Sequence, residues 1–347
     1  MHCILKNIFL FSLVFFFIGC DSDPLDIDVS DVKVDIKFIN IDSMYTNPSK
    51  SHRLKLHNQF LSTIGPLYNR AYRDYIKIDF NTDSSFLSSL DIYYTTPYIS
   101  QLQNQIKKLG ILTKEREGIV NGFKHLRFYF PKKSIPNNVV FLTTYFAYKN
   151  PVVKDDIGVS LEWYLNQNDA VIKKLSTDEF PRYYKEEMNK KYLVRDVLQE
   201  WIKEKYISNN NGQFYEKMIY WGKILYLTKA AMPHLDDAMV CRYSSSDYAW
   251  ATKEEKNIWK HLVDNEMLFK KDNLTDYNWF LEAPFTKGLG NDSPQRIGQF
   301  IGYKMVLSYL EKKVEGFSCS QNKRISPKEL LDIPYNDIMQ SYNINTK

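Results

Sequence analysis

Residues 214–227 restrict the fold of this 347-residue chain more than any other segment, because they are apolar on almost every side of a helix. Glu216, Lys217 and Lys223 are the only charged side chains in it. A helix that is hydrophobic all round is buried, so other elements must surround this one. Gly222 within the segment costs about 1 kcal/mol relative to alanine. We therefore expect a second backbone to approach the helix closely at that glycine.

A second glycine pattern lies near the C-terminus. Gly298 and Gly302 are four residues apart within residues 297–310, a spacing that gives a helix a smooth groove for tight contact with another helix. Polar residues interrupt the segment, so it is not expected to span a membrane. Beyond Pro181 the pattern is helical almost throughout. It predicts helices over residues 182–191, 194–206, 214–231, 253–265 and 297–311.

The first half of the chain combines strand and helix patterns. Apolar and polar residues alternate over 32–38, which predicts a strand with one buried face. Residues 139–147 are continuously apolar, as in a central strand covered on both faces. We expect strands at 123–130 and 157–161 beside it, the second of them antiparallel to it. Helices are predicted over residues 52–64, 83–90 and 97–109. These patterns predict an α+β fold, a small sheet packed by many helices, with a helical C-terminal half and a single domain at residues 32–347.

The N-terminal residues have the organisation of a secretory signal. Lys6 precedes an apolar run at 8–18 that is too short to span a bilayer, and small Gly19 stands directly before Cys20. From Asp21 onward the chain is polar. An uncleaved anchor helix, or an ordinary signal with a chance cysteine, remains as an alternative.

Residues 17–20 resemble the lipobox of bacterial lipoproteins, although Phe17 stands where leucine is usual. In that family cleavage leaves an acylated cysteine as the new N-terminus. The resemblance implies a signal peptide at 1–19, an acyl anchor such as palmitate on Cys20, and an acidic tether at 20–31. The body is then expected in the cell envelope, lipid-anchored and facing the periplasm, with the choice between inner and outer membrane left open.

Charge and cysteine content exclude some partners and leave one question open. The net charge of +5 is too small to indicate a nucleic-acid partner. No later stretch approaches eighteen consecutive apolar residues, so no second membrane element is predicted. Apart from Cys3 and Cys20, the cysteines are Cys241 and Cys319. An oxidising compartment permits a bridge between them, and their spacing does not decide whether it forms.

The histidines and serines lack the patterns of common hydrolases. A zinc peptidase helix needs two histidines four residues apart, whereas His52 and His57 are five apart. There is no G-x-S-x-G motif for a serine nucleophile, and Gly288 and Gly290 lack the residues that complete a phosphate-binding loop. The sequence therefore predicts no metal site, no cofactor and no catalytic residue.

Five residues remain as a candidate pocket. Glu216, Tyr220, Trp221 and Lys223 lie in the buried helical segment, and Arg296 directly precedes the helix with two glycines. Charged and aromatic side chains of this kind are suited to binding a polar ligand. The alternative that the charged members sit on solvated helix ends stays open.

The chain resembles the gliding-motility lipoproteins of the GldB family of the Bacteroidota from about residue 32 to the C-terminus. The matching segments are residues 128–132, 157–161, 164–165, 180–183, 218–226, 232–233, 257–259, 283–287 and 293–303. Each segment alone is modest, and their order together with the N-terminal signal makes the resemblance specific. The family commonly ends in a basic Tyr-Lys-Pro tail, whereas this chain has Ser341, Tyr342 and Asn343.

The GldB family is itself distantly similar to predicted zinc peptidases. In those proteins the helix corresponding to residues 214–227 carries two histidine ligands and a glutamate. Here Glu216 lies near the expected place, but Tyr215, Ile219 and Tyr220 occupy the positions that would need ligands. Phenol and alkyl groups do not hold a metal that activates water. The resemblance therefore implies a zincin-like peptidase shell without the metal.

The resemblance implies a non-enzymatic envelope lipoprotein required for gliding motility. Its expected role is to support the assembly or stability of the gliding and secretion machinery, with the membrane and other gliding proteins of the envelope as partners. Two alternatives stay open. One is a degenerate hydrolase that uses carboxylates such as Glu216, and the other is a module that binds peptides or peptidoglycan stems through Tyr220, Trp221 and Arg296.

Overall fold

The computed structural model describes residues 23–46, 48–210, 212–271, 278–315 and 325–342, with the side chains of residues 314 and 315 left out. The predicted signal peptide, Cys20 and Cys319 lie outside the described residues. Cys241 is buried and free. The described residues form a small mixed sheet packed by many helices, which confirms the α+β prediction.

The sheet has the strand order β1-β2-β4-β3, where β1 is Lys37–Asn40, β2 is Asn138–Leu142, β3 is Val152–Val153 and β4 is Asp156–Ser160. Strand β2 pairs in parallel with both β1 and β4, and only β3 runs antiparallel to β4. The predicted antiparallel pairing of residues 157–161 is therefore wrong. After β2 the chain crosses back over thirteen residues, a length sufficient for a parallel connection.

Two predicted strands are shorter in the structure than the sequence indicated: the first begins later, and the central one ends earlier. The alternation of exposure over residues 32–38 is present, but the ladder to β2 begins only at Lys37. At the other end β2 stops at Leu142, because Tyr145 and Phe146 adopt left-handed backbone angles (φ 56° and 60°) that no strand permits. Strand β2 is buried along its whole length, as its apolar sequence predicted.

The predicted strand at 123–130 is wrong, because these residues belong to a helix, Thr113–Tyr129. The buried side chains Ile119, Phe123 and Leu126 recur every three or four residues, which places them on one side of the helix. This spacing is that of a helix and not the alternation of a strand.

Helices account for most of the remaining chain, close to the predicted positions. In the first half they are α1 Ile41–Tyr45, α2 Lys50–Tyr68, a π-helical segment Asn69–Tyr75, α3 Asp83–Thr95, α4 Pro97–Lys107, α5 Thr113–Tyr129 and a 3-10 turn Leu161–Tyr164. In the second half they are α6 Ala170–Lys173, α7 Arg182–Glu187, a 3-10 turn Lys190–Tyr192, α8 Leu193–Lys205, α9 Phe214–Ala231, α10 Asp237–Val240, α11 Ser245–Asp264, α12 Ile297–Glu315, α13 Pro327–Asp332 and α14 Tyr335–Ser341.

Three apolar clusters make up the core. One lies between α1 to α3 and the face of the sheet that carries Val140 and Leu142. A second lies on the opposite face, where Val139 and Phe141 contact side chains of α5, α8 and α9. The third lies among α9, α11 and α12. Helix α9 contributes to the second and third clusters, so it is covered on all sides as its sequence predicted.

Helices α9 and α12 cross at their glycines. A Cβ atom added to Gly222 would overlap the Gly302 carbonyl, and one added to Gly302 would overlap the Met218 carbonyl. The two backbones are therefore in direct contact, which confirms the prediction of a close approach at Gly222. Residue 302 lies in the groove predicted from the spacing of Gly298 and Gly302.

The N-terminal end of the described chain packs on the body. Leu25 and Val29 are buried, and Leu25 belongs to the cluster among α9, α11 and α12. Lys229 on α9 lies 3.9 Å from the Asp23 carboxylate. This part of the predicted acidic tether is therefore a docked segment, because its apolar residues are removed from water.

Candidate functional site

A cavity of about 430 Å³ lies at the meeting point of the sheet and the helical half. Its walls come from residues 147–150 of the β2–β3 connection, from α7, α8 and α9, and from the start of α12. The cavity is lined by charged side chains that are unusually buried for their type: Arg195, Asp196, Arg242 and Arg296 are each no more than 6% exposed. Tyr148, Trp163, Tyr184, Trp221 and Phe280 add aromatic surface.

Asp196 on α8 is the first of the carboxylates that hold these cations. Arg195 Nη1 and Arg242 Nε donate to its Oδ1 at 2.9 and 3.2 Å. Its Oδ2 lies 2.6 Å from Lys149 Nζ. A buried charge needs a partner and further hydrogen bonds to offset the loss of hydration. One carboxylate here serves three cations.

Glu187 at the end of α7 is the second carboxylate. It forms an ion pair with Arg242 Nη1 and accepts a hydrogen bond from Arg296 Nη2 at 3.3 Å. Gln295 Nε2 donates to its other oxygen at 2.7 Å. Arg242 therefore bridges Asp196 and Glu187, and through them it joins α7 to α8.

Arg242 and Arg296 are both held in a strained backbone conformation. Each has φ of 59°, in the left-handed region that residues with a side chain seldom adopt. Such a conformation costs on the order of 1 to 3 kcal/mol and persists only where the surroundings enforce it. Here ion pairs and the carbonyl of Arg242, which accepts from Arg296 Nη2 at 3.1 Å, fix the two side chains.

Burial and the neighbouring charges both change the pKa values of the cavity residues. Burial and the neighbouring Arg242 lower the pKa of Lys149 to about 8. Burial alone would raise the pKa of the Glu282 carboxyl, but Lys149, Arg296 and Arg242 together lower it. Burial and Arg296 also lower the pKa of Arg242 to about 10. The nearby cations therefore favour the ionised form of Glu282, whereas burial is the main reason that the neutral form of Lys149 is favoured.

The structure separates the five residues of the candidate pocket. Trp221 and Arg296 line the charged cavity. Lys223 points to another side of α9, where its Nζ donates to the carbonyls of Leu331 and Ile333 at 3.1 and 2.7 Å in a separate cavity of about 530 Å³.

The other two candidates lie in neither position. Glu216 Oε2 accepts from the Gln213 backbone N–H at 2.6 Å in a capping box at the start of α9. Tyr220 is buried in the apolar cluster beneath the sheet. Residues close together on one helix diverge because each successive position turns by about 100°.

The charged residues of the cavity lining that the sequence prediction missed come from four separate segments. Lys149 lies in a loop and Glu282 in an irregular segment, and neither stands in a recognisable pattern. One local sign was available on α8, where Arg195 shares a side of the helix with the buried residues Leu198 and Ile202, and the buried Asp196 follows it directly. A charged pair on the buried side of a helix indicates a buried ion network.

A second buried hydrogen-bond network holds the β2–β3 connection, which forms one wall of the cavity. Glu162, which follows β4, is fully buried, and its Oε1 accepts from the backbone N–H groups of Thr144 and Phe146 at 2.7 and 3.0 Å. Burial raises the pKa of Glu162 to about 7. Ser160 Oγ donates to the Tyr148 carbonyl at 2.6 Å. Glu162 and Ser160 thereby fix the connection that carries Lys149.

Asp42, which follows β1, lies at the same edge of the sheet. Tyr72 and Tyr94 hydroxyls donate to its Oδ1 at 3.0 and 2.7 Å, and burial raises its pKa. Carboxyl ends of parallel strands meet at one edge, which explains why Asp42 and Glu162 come together.

Within the part of the chain that the structure describes, no three His, Cys, Asp or Glu side chains are arranged to hold a metal ion. None of the helices in these ranges combines the length and the hydrophobicity of a membrane-spanning segment.

Residues 22–343 match the sequence model of a protein family that is described as gliding motility protein GldB. The chain belongs to the GldB family. The match spans nearly the whole chain and includes every residue of the charged cavity. The family is one of gliding motility lipoproteins, which indicates a role in gliding and a place in the cell envelope. A search of curated proteins and a search of solved structures each found no match.

Proposed function

We propose that this chain is a lipid-anchored binding protein that supports the assembly or stability of the gliding and secretion machinery without breaking covalent bonds. Its place in a family of gliding motility lipoproteins supports the cellular role. The apolar run before Cys20 supports an acylated N-terminus that holds the body at a membrane, facing the periplasm. The proposed partners are other envelope proteins of the same machinery.

The charged cavity is the observation that supports a binding role. Its arginines are already oriented by Asp196 and Glu187, so few side chains lose freedom when a partner binds. Recognition by side chains that are ordered in advance costs less conformational entropy. Trp221 adds the aromatic surface that is enriched at binding sites.

The hydrolase alternative has weaker support from the geometry. A general acid or base works best when its pKa lies near the ambient pH. The pKa of Glu282 is lowered away from that range, and Glu216 is bound at the start of α9, outside the cavity residues. The pKa of Lys149, which lines the cavity, is lowered to about 8, toward neutral pH. The enzyme alternative is therefore best tested at Lys149.

The test uses two lysine-to-methionine variants in cells. Lys149→Met removes a charge from the cavity and keeps most of the side-chain volume. Lys223→Met makes the same change at a lysine that lines the separate cavity. We expect Lys149→Met to reduce gliding and in-cell crosslinking to envelope proteins, and Lys223→Met to retain both at an equal protein level.

Two results would count against the proposal. Normal gliding and an unchanged crosslinking pattern in Lys149→Met would show that the proposed function does not depend on the cavity. Cleavage of a peptide library by the purified wild-type protein, abolished in Lys149→Met, would favour the hydrolase. The anchor is tested by Cys20→Ala, for which we expect the protein to leave the membrane fraction.

A further inference from the structure

We propose that the charged cavity binds a single carboxylate group, such as the C-terminal carboxylate of a peptide, with the adjoining side chain against its aromatic wall. This proposal rests on the proposed binding role and gives that role a ligand class. It depends on three observations: the balance of fixed charges, the hydrogen-bond donors with spare capacity, and the distribution of aromatic side chains.

The balance of charges leaves room for one negative charge. Lys203 is paired with Glu200 on α8 at 2.8 Å and is satisfied within the helix. Among the residues that the structure describes, the remaining cavity cations are Lys149, Arg195, Arg242 and Arg296, and the carboxylates that contact or face them are Asp196, Glu187 and Glu282. Four cations therefore meet three carboxylates. A ligand that carries one negative charge neutralises the cluster, whereas a doubly charged phosphate exceeds it.

Two of the cations have donors left for that charge. Lys149 has three N–H groups and contacts one carboxylate oxygen, Asp196 Oδ2. Arg296 uses its Nη2 for Glu187 and a backbone carbonyl, and its Nη1 lies 3.7 Å from Glu282 Oε1, too far for a hydrogen bond. Arginine and lysine donors of this kind form the strong, charge-assisted hydrogen bonds that a carboxylate accepts.

Three residues of the cavity lining have a buried hydrogen-bond donor without an acceptor. Arg296 Nε, Gln199 Nε2 and Trp163 Nε1 are removed from solvent and have no hydrogen-bond partner among the described residues. A buried donor without an acceptor has given up its hydrogen bonds to water, and native proteins contain few of them. Arg296, Gln199 and Trp163 all line the cavity, so its walls hold three such donors.

The aromatic wall gives the ligand its second feature. Trp163 and Trp221 line the cavity together with Tyr148 and Phe280. A free inorganic anion would leave this surface uncovered, whereas a peptide end has a side chain next to its carboxylate that can cover it. Apolar surface removed from water contributes about 25 cal/mol per Å², so this contact favours the larger ligand.

The experiment compares peptide ends that differ only in charge or chirality. The mature full-length lipoprotein in detergent is mixed with a pool of acetylated tripeptides that have free C-terminal carboxylates, and separately with the same pool as C-terminal amides. Further samples contain the pool made from D-residues, or inorganic phosphate. The melting temperature reports binding, because a ligand of the folded state raises it. We expect the carboxylate pool to bind at least about tenfold more tightly than the amide pool, since a charge-assisted hydrogen bond is lost.

Chirality identifies the source of the carboxylate. A response to L-peptides alone indicates a protein C-terminus, and a response to D-peptides indicates peptidoglycan stems; both support the proposal. Equal responses to acid and amide, a response to phosphate as large as that to the acids, or no response to any pool would overturn it. Lys149→Met is expected to lose the response and Lys223→Met to keep it.

The gliding assay tests the proposed function and the peptide assay tests the ligand class, so either claim can be wrong while the other holds. If Lys149→Met abolishes gliding while no peptide pool binds, the recognition role of the cavity stands and the carboxylate ligand is wrong. If peptides bind but Lys149→Met glides normally, the ligand class is right and the cellular role is wrong.

Discussion

Replacement of Gly302 by alanine should separate the two central helices. The added Cβ atom would lie 3.1 Å from Met218 Cα, with the Met218 carbonyl carbon and oxygen closer still. Carbon atoms in ordinary contact are about 3.5 to 4.0 Å apart. The obstacle is backbone within α9, which cannot rotate aside as a side chain does. Helix α12 must therefore move by a distance on the order of 1 Å.

The cost of that movement follows from two opposing effects. Overpacking of a core costs about 1 to 3 kcal/mol, and the upper end applies here because the obstacle is rigid. Alanine is a better helix former than glycine by up to about 1 kcal/mol, which offsets part of the loss. We expect the free energy of unfolding to fall by about 2 kcal/mol, measured by urea denaturation of the mature protein in detergent.

A glycine in an open position supplies the control. An added Cβ at Gly65 in α2 meets no heavy atom within 4 Å, so Gly65→Ala should lower the free energy of unfolding much less than Gly302→Ala, although Pro66 follows it. Gly222→Ala strains the same crossing from the other side, so the double variant with Gly302→Ala should cost less than the two single changes added together. A Gly302→Ala protein within about 0.5 kcal/mol of wild type would refute this account of the crossing.

Three further predictions follow from buried groups. Burial raises the pKa of Glu162 from 4.5 to about 7, so between these pH values the folded state keeps a proton that the unfolded chain has lost. The protonated Glu162 therefore contributes fully to the free energy of unfolding below about pH 4.5, and this contribution is lost as the pH rises through 7. Glu162→Gln should therefore be more stable than wild type at pH 8, by up to about 3 kcal/mol in chemical denaturation, and no more stable near pH 4.5. Arg242→Met leaves Asp196 and Glu187 without their shared partner and should cost about 3 to 5 kcal/mol, with an unchanged melting temperature as the contrary result. Burial raises the pKa of Cys241 to about 12, so iodoacetamide at pH 8 should modify it only after unfolding, as checked by mass spectrometry.

The fold could be predicted from the sequence where periodicity and burial agree. Helix α9 is apolar on almost every side and mostly buried, and the central strand β2 is buried along its whole length. The direction of a strand could not be predicted from its pattern of apolar residues. Residues 157–161 would show the same alternation in a parallel or an antiparallel pair. The strand prediction at 123–130 is wrong because the buried residues of this segment have helical spacing.

The candidate site was harder to predict for a geometric reason. Tyr220, Trp221 and Lys223 are neighbours in sequence and point to three different surroundings of α9. The side chains that do meet, such as Lys149 and Asp196, are 47 positions apart and belong to different elements. A single sequence contains the buried pair on α8 as a local sign, but the partners of that pair follow only from tertiary structure.

The docking of Leu25 determines how the anchored protein would carry a mechanical load. In the arrangement that we propose, tension from a membrane-bound Cys20 reaches the body at residues 23–29. Leu25 transmits that pull to the cluster around α9 and α12, and not directly to the sheet. A force on the lipid end would therefore act first on the side chains of α9 and α12 around Leu25, such as Tyr226 and Leu307, far along the chain from the point of attachment.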